Sequence, residues 1–195
     1  MSQHAAPQRI GETLLHMGLI SADQLHIALH EQERSGEAIG RQLVRLGFLS
    51  EATLREALAR TLDGIDNLAD EDQSDRLEQA AAALYDFPTL DLTLVRAALG
   101  VLERCGAQDD FGMFHTLQCY LEHHSEDKRV QEAVQGSVRR APSWKTIEIL
   151  PGFAGIEGSV RLLEQIQREK KFTDQRYNAS WLAEQIDDLR KELTR

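Results

Sequence analysis

The residues best suited to chemistry lie in a 24-residue segment, Arg9 to Gln32, which is followed after five residues by a similar segment, Ala38 to Thr61. The guanidinium of Arg9 can stack on a purine, and the amide of Gln32 can hydrogen-bond a base edge. Glycines at matching places can let a ligand approach bare backbone, where helix-start N–H groups hold anions, or they can close turns. The pattern therefore leaves a ligand site and a purely structural repeat both open.

The two segments, called here the first and second phrase, are copies of one pattern. Aligned at an offset of 29 residues, eight of their 24 positions are identical, and several others stay apolar. The identical pairs are Ile10/Ile39, Gly11/Gly40, Leu14/Leu43, Gly18/Gly47, Ser21/Ser50, Leu25/Leu54, Ala28/Ala57 and Leu29/Leu58. Such repetition predicts one structural unit built twice, in which each copy buries its apolar stripe against the other.

Each phrase predicts a short helix, a tight turn and a second helix. In the first phrase Gly18 follows an apolar run, at the place where a left-handed helix end favours glycine. Ser21 then has the pattern of an N-cap with Gln24 completing a capping box. In the second phrase Ser50 repeats the N-cap, whereas Thr53 leaves the box incomplete.

The remaining chain has helical periodicity and weak strand signals. Helices are predicted at residues 74–85, 91–105, 108–124, 126–139, 143–150, 156–170 and 178–194, joined by short connections. The expected fold class is all-α: a small tandem helix-turn-helix domain, then an α-helical repeat or bundle region. The predicted divisions are a disordered N-terminus (1–8), the repeat domain (9–61), an acidic linker (62–74) and a helical interaction domain (75–195). The linker lacks the ligand spacing of a calcium loop.

Charge and composition narrow the function classes. The formal net charge is −10, and residues 62–195 carry most of the acidic excess. An acidic surface repels phosphate backbones, which disfavours nucleic-acid polymers but leaves room for a small, locally held anion. Without a targeting signal or a long apolar run, we expect a soluble, cytoplasmic protein with no membrane insertion. The spacing of Cys105 and Cys119 indicates reduced, buried thiols.

Other motifs point away from catalysis and from metal binding. The sequence has neither a Walker A motif nor GxGxxG, and its serines and cysteines lack a nucleophile elbow. His26 and His30 have helical metal-ligand spacing without the glutamate of a zinc protease, so a solvent-exposed helix face is the simpler interpretation. His123 and His124 fall at a helix end, where an imidazolium complements the helix dipole. We therefore expect no enzyme, no catalytic residue, no metal and no cofactor.

Trp144 and Trp181 each begin a predicted helix. A core anchor is the expected role for both, although tryptophan is also a preferred hot spot at protein interfaces. Sequence alone leaves both alternatives open.

The tandem repeat resembles the MshEN domain, found at the N-terminus of type II secretion and type IV pilus assembly ATPases. Arg9-Ile10-Gly11, Leu14-Leu15, Gly18-Leu19-Ile20, Leu25, Leu29 and Gln32 match its pattern of a 24-residue phrase, a five-residue spacer and a second phrase. The resemblance covers about a quarter of the chain and implies binding of the bacterial second messenger cyclic di-GMP. By position, the implied contacts of the first phrase are Arg9, Ile10, Gly11, Leu14, Leu15, Gly18, Leu25, Leu29 and Gln32. Those of the second are Ile39, Gly40, Leu43, Val44, Gly47, Leu54 and Leu58.

The second phrase departs from the first at its two polar ends. Ala38 and Thr61 replace the arginine and the glutamine, so half of the site loses its polar contacts, and Arg41 is out of register. Some relatives of this domain serve as docking modules without a ligand. The leading expectation is a bacterial cyclic di-GMP receptor or adaptor whose repeat modulates protein–protein interaction by the helical region, with a partner in a secretion, pilus or motility system.

The alternative is a ligand-free docking or scaffold module. Residues 111–150, "FGMFHTLQCYLEHHSEDKRVQEAVQGSVRRAPSWKTIEIL", are distantly similar to helical immunity proteins of bacterial polymorphic toxin systems, which inhibit a cognate toxin by binding it. That similarity rests on a shared helical pattern and a Pro-x-Trp helix start. It implies an inhibitor of another protein and no particular residue roles.

Overall fold

The computed structural model describes residues 10–84, 89–105, 113–169 and 179–194. Within these ranges the regular structure is α-helical, without strands, which confirms the all-α prediction. The helices are α1 (Ile10–His16), α2 (Ala22–Ser35), α3 (Ile39–Arg45), α4 (Glu51–Asp63), α5 (Glu71–Leu84), α6 (Leu92–Cys105), α7 (Met113–Glu122), α8 (Lys128–Arg140), α9 (Trp144–Ile149), α10 (Pro151–Glu169) and α11 (Ala179–Leu193). Arg9 and the N-terminus predicted to be disordered lie outside the described residues.

The chain forms two compact units. Unit 1 comprises residues 1–97 and unit 2 comprises residues 98–195, with the division inside α6. Unit 1 contains both phrases and α5, the helix that follows them. The sequence-based ends of the repeat domain and of the acidic linker stay predictions.

The turns inside the two phrases have the predicted geometry. Gly18 and Gly47 have φ angles of 69° and 71°, the left-handed region that favours glycine. The N–H of Gly18 donates to the carbonyl of Leu15 at 2.9 Å, and the N–H of Leu19 donates to that of Leu14 at 3.0 Å. The second phrase repeats both bonds one phrase later. These paired bonds define a Schellman motif, so these two glycines end the first helix of each phrase.

The predicted caps are confirmed too. The Ser21 hydroxyl accepts from the N–H of Gln24 at 3.2 Å, and the Gln24 side chain accepts from the N–H of Ser21 at 2.8 Å, which completes a capping box. Ser50 accepts from the N–H of Thr53 at 3.0 Å without the return bond. Each cap is decided by four adjacent residues, which explains why sequence predicts it.

A second pair of glycines lets the helices of each phrase pack closely. A Cβ atom on Gly11 would lie 2.5 Å from Cδ1 of Leu25, and one on Gly40 would lie 3.1 Å from Cδ2 of Leu54. Both distances are shorter than ordinary van der Waals contact, so a larger residue at either place would require the facing leucine side chain to shift. Around these contacts α1 packs on α2, α3 and α5, while α2 packs on α3 and α4 packs on α5.

The connection from α4 to α5 is anchored within unit 1. Ile65 is fully buried, and the Gln73 side chain accepts hydrogen bonds from the N–H groups of Asp66 and Asn67 at 2.8 and 3.0 Å. The helix starts at Glu71, three residues before the predicted start. The anchored connection holds α5 against the repeat.

Unit 2 is built around α10, which packs against α8, α9 and α11. Helix α9 begins with a capping box between Ser143 and Thr146, and the Ser143 hydroxyl also donates to the carbonyl of Leu102 at 3.1 Å. Helix α10 begins at Pro151, five residues before the predicted start, and breaks at Gly155, whose φ is 66°. The helical pattern predicted only the part after that break.

Two side chains in unit 2 correct sequence-based expectations. Trp144 is 49% exposed and is therefore not a core anchor; its ring centroid lies 6.3 Å from that of the partly buried Trp181. Cys105 is buried as expected, whereas Cys119 is only half-buried, with its Sγ 3.5 Å from Nε2 of His115. Helical periodicity predicts which residues share an apolar face of a helix. It does not predict which part of that face is buried by neighbouring helices.

His124 gives unit 2 a predicted pH dependence. Burial, together with the neighbouring His123, lowers the pKa of His124 below 6.5, against an opposing effect of Asp127. A neutral imidazole is thus preferred in the folded state, which corrects the expected imidazolium at this residue. The unfolded chain binds more protons, so stability is full above about pH 6.5 and falls as the pH drops below it. The hydrogen bond from Arg129 lowers the pKa of Asp127 to about 2, so Asp127 stays ionised meanwhile.

We expect the free energy of unfolding of unit 2 to decrease between pH 7 and pH 5, and to decrease less in His124→Gln. Urea unfolding followed by tryptophan fluorescence measures this, because both tryptophans belong to unit 2. An equal decrease in both proteins would contradict the assignment to His124.

Candidate functional site

A pocket of about 260 Å³ opens in unit 1. Its lining comes from four helices and one connecting residue. The lining residues are Ile10 of α1, Gln32 of α2, Ala38 before α3, Ile39 and Gly40 of α3, and Gln79, Ala82 and Ala83 of α5.

The pocket lies where the two phrases begin. Ile10 and Ile39 are equivalent residues, each the first of its helix, and both are largely buried. Gly40 also lines the pocket, although a Cβ atom on it would face Leu54, which is not a lining residue. Ala38 occupies the place that Arg9 has in the first phrase. The repeat therefore brings its two equivalent ends to one site.

The last residues of the two phrases, Gln32 and Thr61, differ in whether they line the pocket. Gln32 lines the pocket and is partly exposed. Its counterpart Thr61 is 5% exposed, and its hydroxyl donates to the carbonyl of Ala57 at 2.9 Å within α4. The hydrogen bond of the Thr61 side chain is therefore made within α4, and Thr61 is absent from the pocket lining. The departure seen in the sequence leaves the second phrase without a polar side chain in the pocket.

Helix α5 supplies the opposite wall, which sequence reasoning missed. Gln79, Ala82 and Ala83 are three and four residues apart and so share one face of the helix. The alanines leave space, and Gln79 adds an amide. The doubled pattern ends at Thr61, so it gave no indication that α5 takes part in the site. The one sequence feature that could have indicated it is the glutamine next to four alanines in "EQAAAAL".

The other residues predicted to contact ligand lie around the pocket-forming helices. Leu14, Leu43 and Leu58 have no exposed surface, and Leu54 has 1%. Gly11 and Leu25 are also buried, Leu15, Leu29 and Val44 are partly exposed, and Gly18 and Gly47 are exposed in the turns. The buried leucines hold the helices that carry the lining residues. Their role as ligand contacts stays a prediction.

The described lining carries no charged side chain; its polar groups are two amides and backbone. Amides donate and accept hydrogen bonds without proton transfer at neutral pH, and the aliphatic lining favours a flat, partly apolar group. Over the ranges described, no three His, Cys, Asp or Glu side chains cluster as metal ligands, and His26 and His30 are exposed. Nor does any helix there combine the length and apolar character needed to cross a bilayer.

Fold and site together define an all-α protein in which a tandem helical repeat and a following helix line an open pocket whose described residues carry no charge. No protein-family model matches the chain, and no solved structure matches it. A segment of 47 residues is 49% identical to the type IV pilus assembly ATPase PilB of Thermus thermophilus. This segment is 24% of the present chain and 5% of that ATPase, so the chain spans a small part of the relative.

Proposed function

We propose that unit 1 binds cyclic di-GMP and that occupancy of the pocket changes how the helical region contacts a partner protein. The role is that of a receptor or adaptor in the bacterial cytoplasm, acting without catalysis, metal or cofactor. A partner within a pilus or secretion system is proposed from the resemblance to the MshEN domain and from the match to a pilus assembly ATPase.

The observation that carries the proposal is the convergence of both phrases on one pocket. A repeat that served only to pack helices has no need of space where its two copies begin. Here equivalent isoleucines, a glycine and Gln32 line such a space. Apolar side chains flanking an amide suit a purine, which offers two flat faces and a hydrogen-bonding edge.

The size of the pocket indicates how much of the ligand it holds. Its volume of about 260 Å³ lies just below the ~300–1,000 Å³ of pockets for drug-sized molecules. Cyclic di-GMP has two guanines and two phosphates, so we propose that the pocket takes one base. The phosphates then lie toward its opening, and we propose that Arg9, which precedes Ile10 in sequence, supplies positive charge to them.

The proposed response to ligand depends on α5. This helix packs on α1 and α4 and also forms one wall of the pocket, so a bound base touches the repeat and α5 at once. A ligand shifts an equilibrium only when its affinities for two arrangements differ. We propose that bound ligand favours the arrangement in which α5 closes on the repeat.

Thermal unfolding of the full chain tests this function. Cyclic di-GMP at about 100 times its dissociation constant adds about 2.7 kcal/mol to the stability of the form that binds it. A rise in the melting temperature with cyclic di-GMP, and none with cyclic di-AMP or GTP at equal concentration, supports the proposal. No rise with any of the three contradicts it.

The second candidate is an interaction module that works without nucleotide. The 49% exposure of Trp144, which lies beside the partly buried Trp181, favours it, because tryptophan is a preferred hot spot at protein interfaces. An immunity-like inhibitor is one form of this candidate. The same melting experiment separates the two, since a ligand-free module has no response to nucleotide.

A further inference from the structure

We propose that Gln79 of α5 is a ligand-contacting residue that replaces the glutamine missing from the second phrase. It supplies an amide contact to the edge of a guanine base. This inference rests on the proposed function and assigns a base-recognition role to a residue outside the repeated pattern.

The first argument is position. An unbroken repeat would bring one glutamine from each phrase, but Thr61 stands in the second place and its hydroxyl is bonded within α4. Gln79 lines the same pocket as Gln32 and lies 18 residues further along the chain than Thr61. The pocket therefore has two glutamines, although only one of them comes from a phrase.

The second argument is the state of the Gln79 amide. Its Nε2 and Oε1 atoms are both shielded from solvent and have no hydrogen-bond partner among the described residues. Unpaired buried polar atoms are destabilising, and folded proteins rarely retain them without a reason. Turning the amide toward the pocket breaks no hydrogen bond, so the side chain is available to a ligand.

A buried glutamine of the same unit shows the contrasting, structural case. Gln42 has no exposed surface, and its Nε2 donates to Ser35 and, at 3.0 Å, to a carboxylate oxygen of Glu37. Its Oε1 accepts from Arg45. An amide that holds helices together is thus fully bonded in this protein. The Gln79 amide, in contrast, has no hydrogen-bond partner in the part of the chain that the structure describes.

The chemistry selects a guanine edge. The amide of Gln79 can donate from Nε2 to guanine O6 while its Oε1 accepts from guanine N1–H, so both unpaired atoms are satisfied by one planar contact. The adjacent Ala82 and Ala83 leave room for the ring beside the amide. The contact requires neither a charge nor a proton transfer.

Calorimetric titration of full-length Gln79→Leu with cyclic di-GMP tests the inference. We expect about tenfold weaker affinity than in the natural chain, the loss typical of one bidentate base contact. The melting temperature without ligand should be equal or higher, because leucine removes two unpaired polar atoms without leaving a cavity. If Gln79 had only a structural role, its replacement would lower the stability of the chain. Weaker binding together with unchanged or raised stability therefore indicates contact with the ligand.

Two further variants complete the test. The matched control is Gln165→Leu, which changes an exposed residue of α10 in unit 2. This variant should bind cyclic di-GMP as tightly as the natural chain does. Gln79→Met, also without hydrogen-bonding atoms, should repeat the loss of affinity seen with leucine. Lower melting temperatures in both Gln79 variants, with a matching loss of affinity, would mean a structural amide and overturn the inference.

The outcomes also separate this inference from the function on which it rests. If the natural chain binds cyclic di-GMP and Gln79→Leu binds it equally well, the role of Gln79 is wrong and the receptor function stands. If the natural chain binds none, both proposals fall.

Discussion

Replacing Ala82 with tryptophan is expected to lower the affinity for cyclic di-GMP by about a hundredfold or more. Ala82 lines the pocket from α5 and is exposed to solvent. An indole there fills space that the proposed base needs. Because the site is exposed, the larger side chain does not have to enter the core, and the fold should survive. No other substitution discussed here should affect ligand affinity as strongly.

Calorimetry measures this loss, and circular dichroism verifies that the variant is folded. The control is Ala52→Trp, which adds the same side chain at an exposed residue of α4 away from the pocket lining. It should bind as the natural chain does. If Ala82→Trp kept the natural affinity, the ligand would have to bind elsewhere, and the pocket would lose its proposed role.

Replacing Arg9 with alanine should weaken cyclic di-GMP binding by more than about tenfold without lowering stability. The substitution removes a planar cation suited to stacking on a purine and to pairing with phosphate. The loss should be large because the described lining of the pocket carries no charge and the chain has a net charge of −10. No other arginine occupies the equivalent place, where the second phrase has Ala38.

The matched control for this charge change is Arg60→Ala. Arg60 is an exposed residue of α4, paired with Glu56 at 2.6 Å, and such surface pairs contribute little stability. Affinity and melting temperature should stay close to those of the natural chain. Binding that is equally tight with Arg9→Ala would refute the role given to Arg9. A fall in melting temperature would show that its role is structural.

Sequence predicted the local structure of the repeat well because each feature there is decided by near neighbours. The Ser21–Gln24 capping box and the left-handed Gly18 and Gly47 follow from residues within one turn of one another. The structure also gives the glycines of the repeat structural roles, while their predicted contacts with a ligand stay predictions. Gly18 and Gly47 close turns, Gly11 allows close helix packing, and Gly40 does so while lining the pocket.

Features that depend on distant contacts escaped prediction. Gln79 and Gln32 line the same pocket although they are 47 residues apart in sequence, and the helix of Gln79 lies beyond the end of the repeated pattern. Likewise, a tryptophan at a helix start has the same local sequence pattern whether its side chain is buried or 49% exposed, as it is in Trp144. Helix α10 begins at Pro151 and is interrupted at Gly155. The helical periodicity in the sequence starts after that glycine, so it did not predict the part of the helix before it. Tertiary packing decides each of these.

The central claim is that the doubled phrase forms a site for cyclic di-GMP, and calorimetric titration of the full chain tests it most directly. The account predicts a saturable heat with cyclic di-GMP, no comparable heat with cyclic di-AMP or GTP, and loss of that heat in Ala82→Trp. No saturable heat at high ligand concentration, from a protein whose circular dichroism shows the helical fold, would contradict it. The repeat would then be a docking module whose glycines serve turns and helix packing alone.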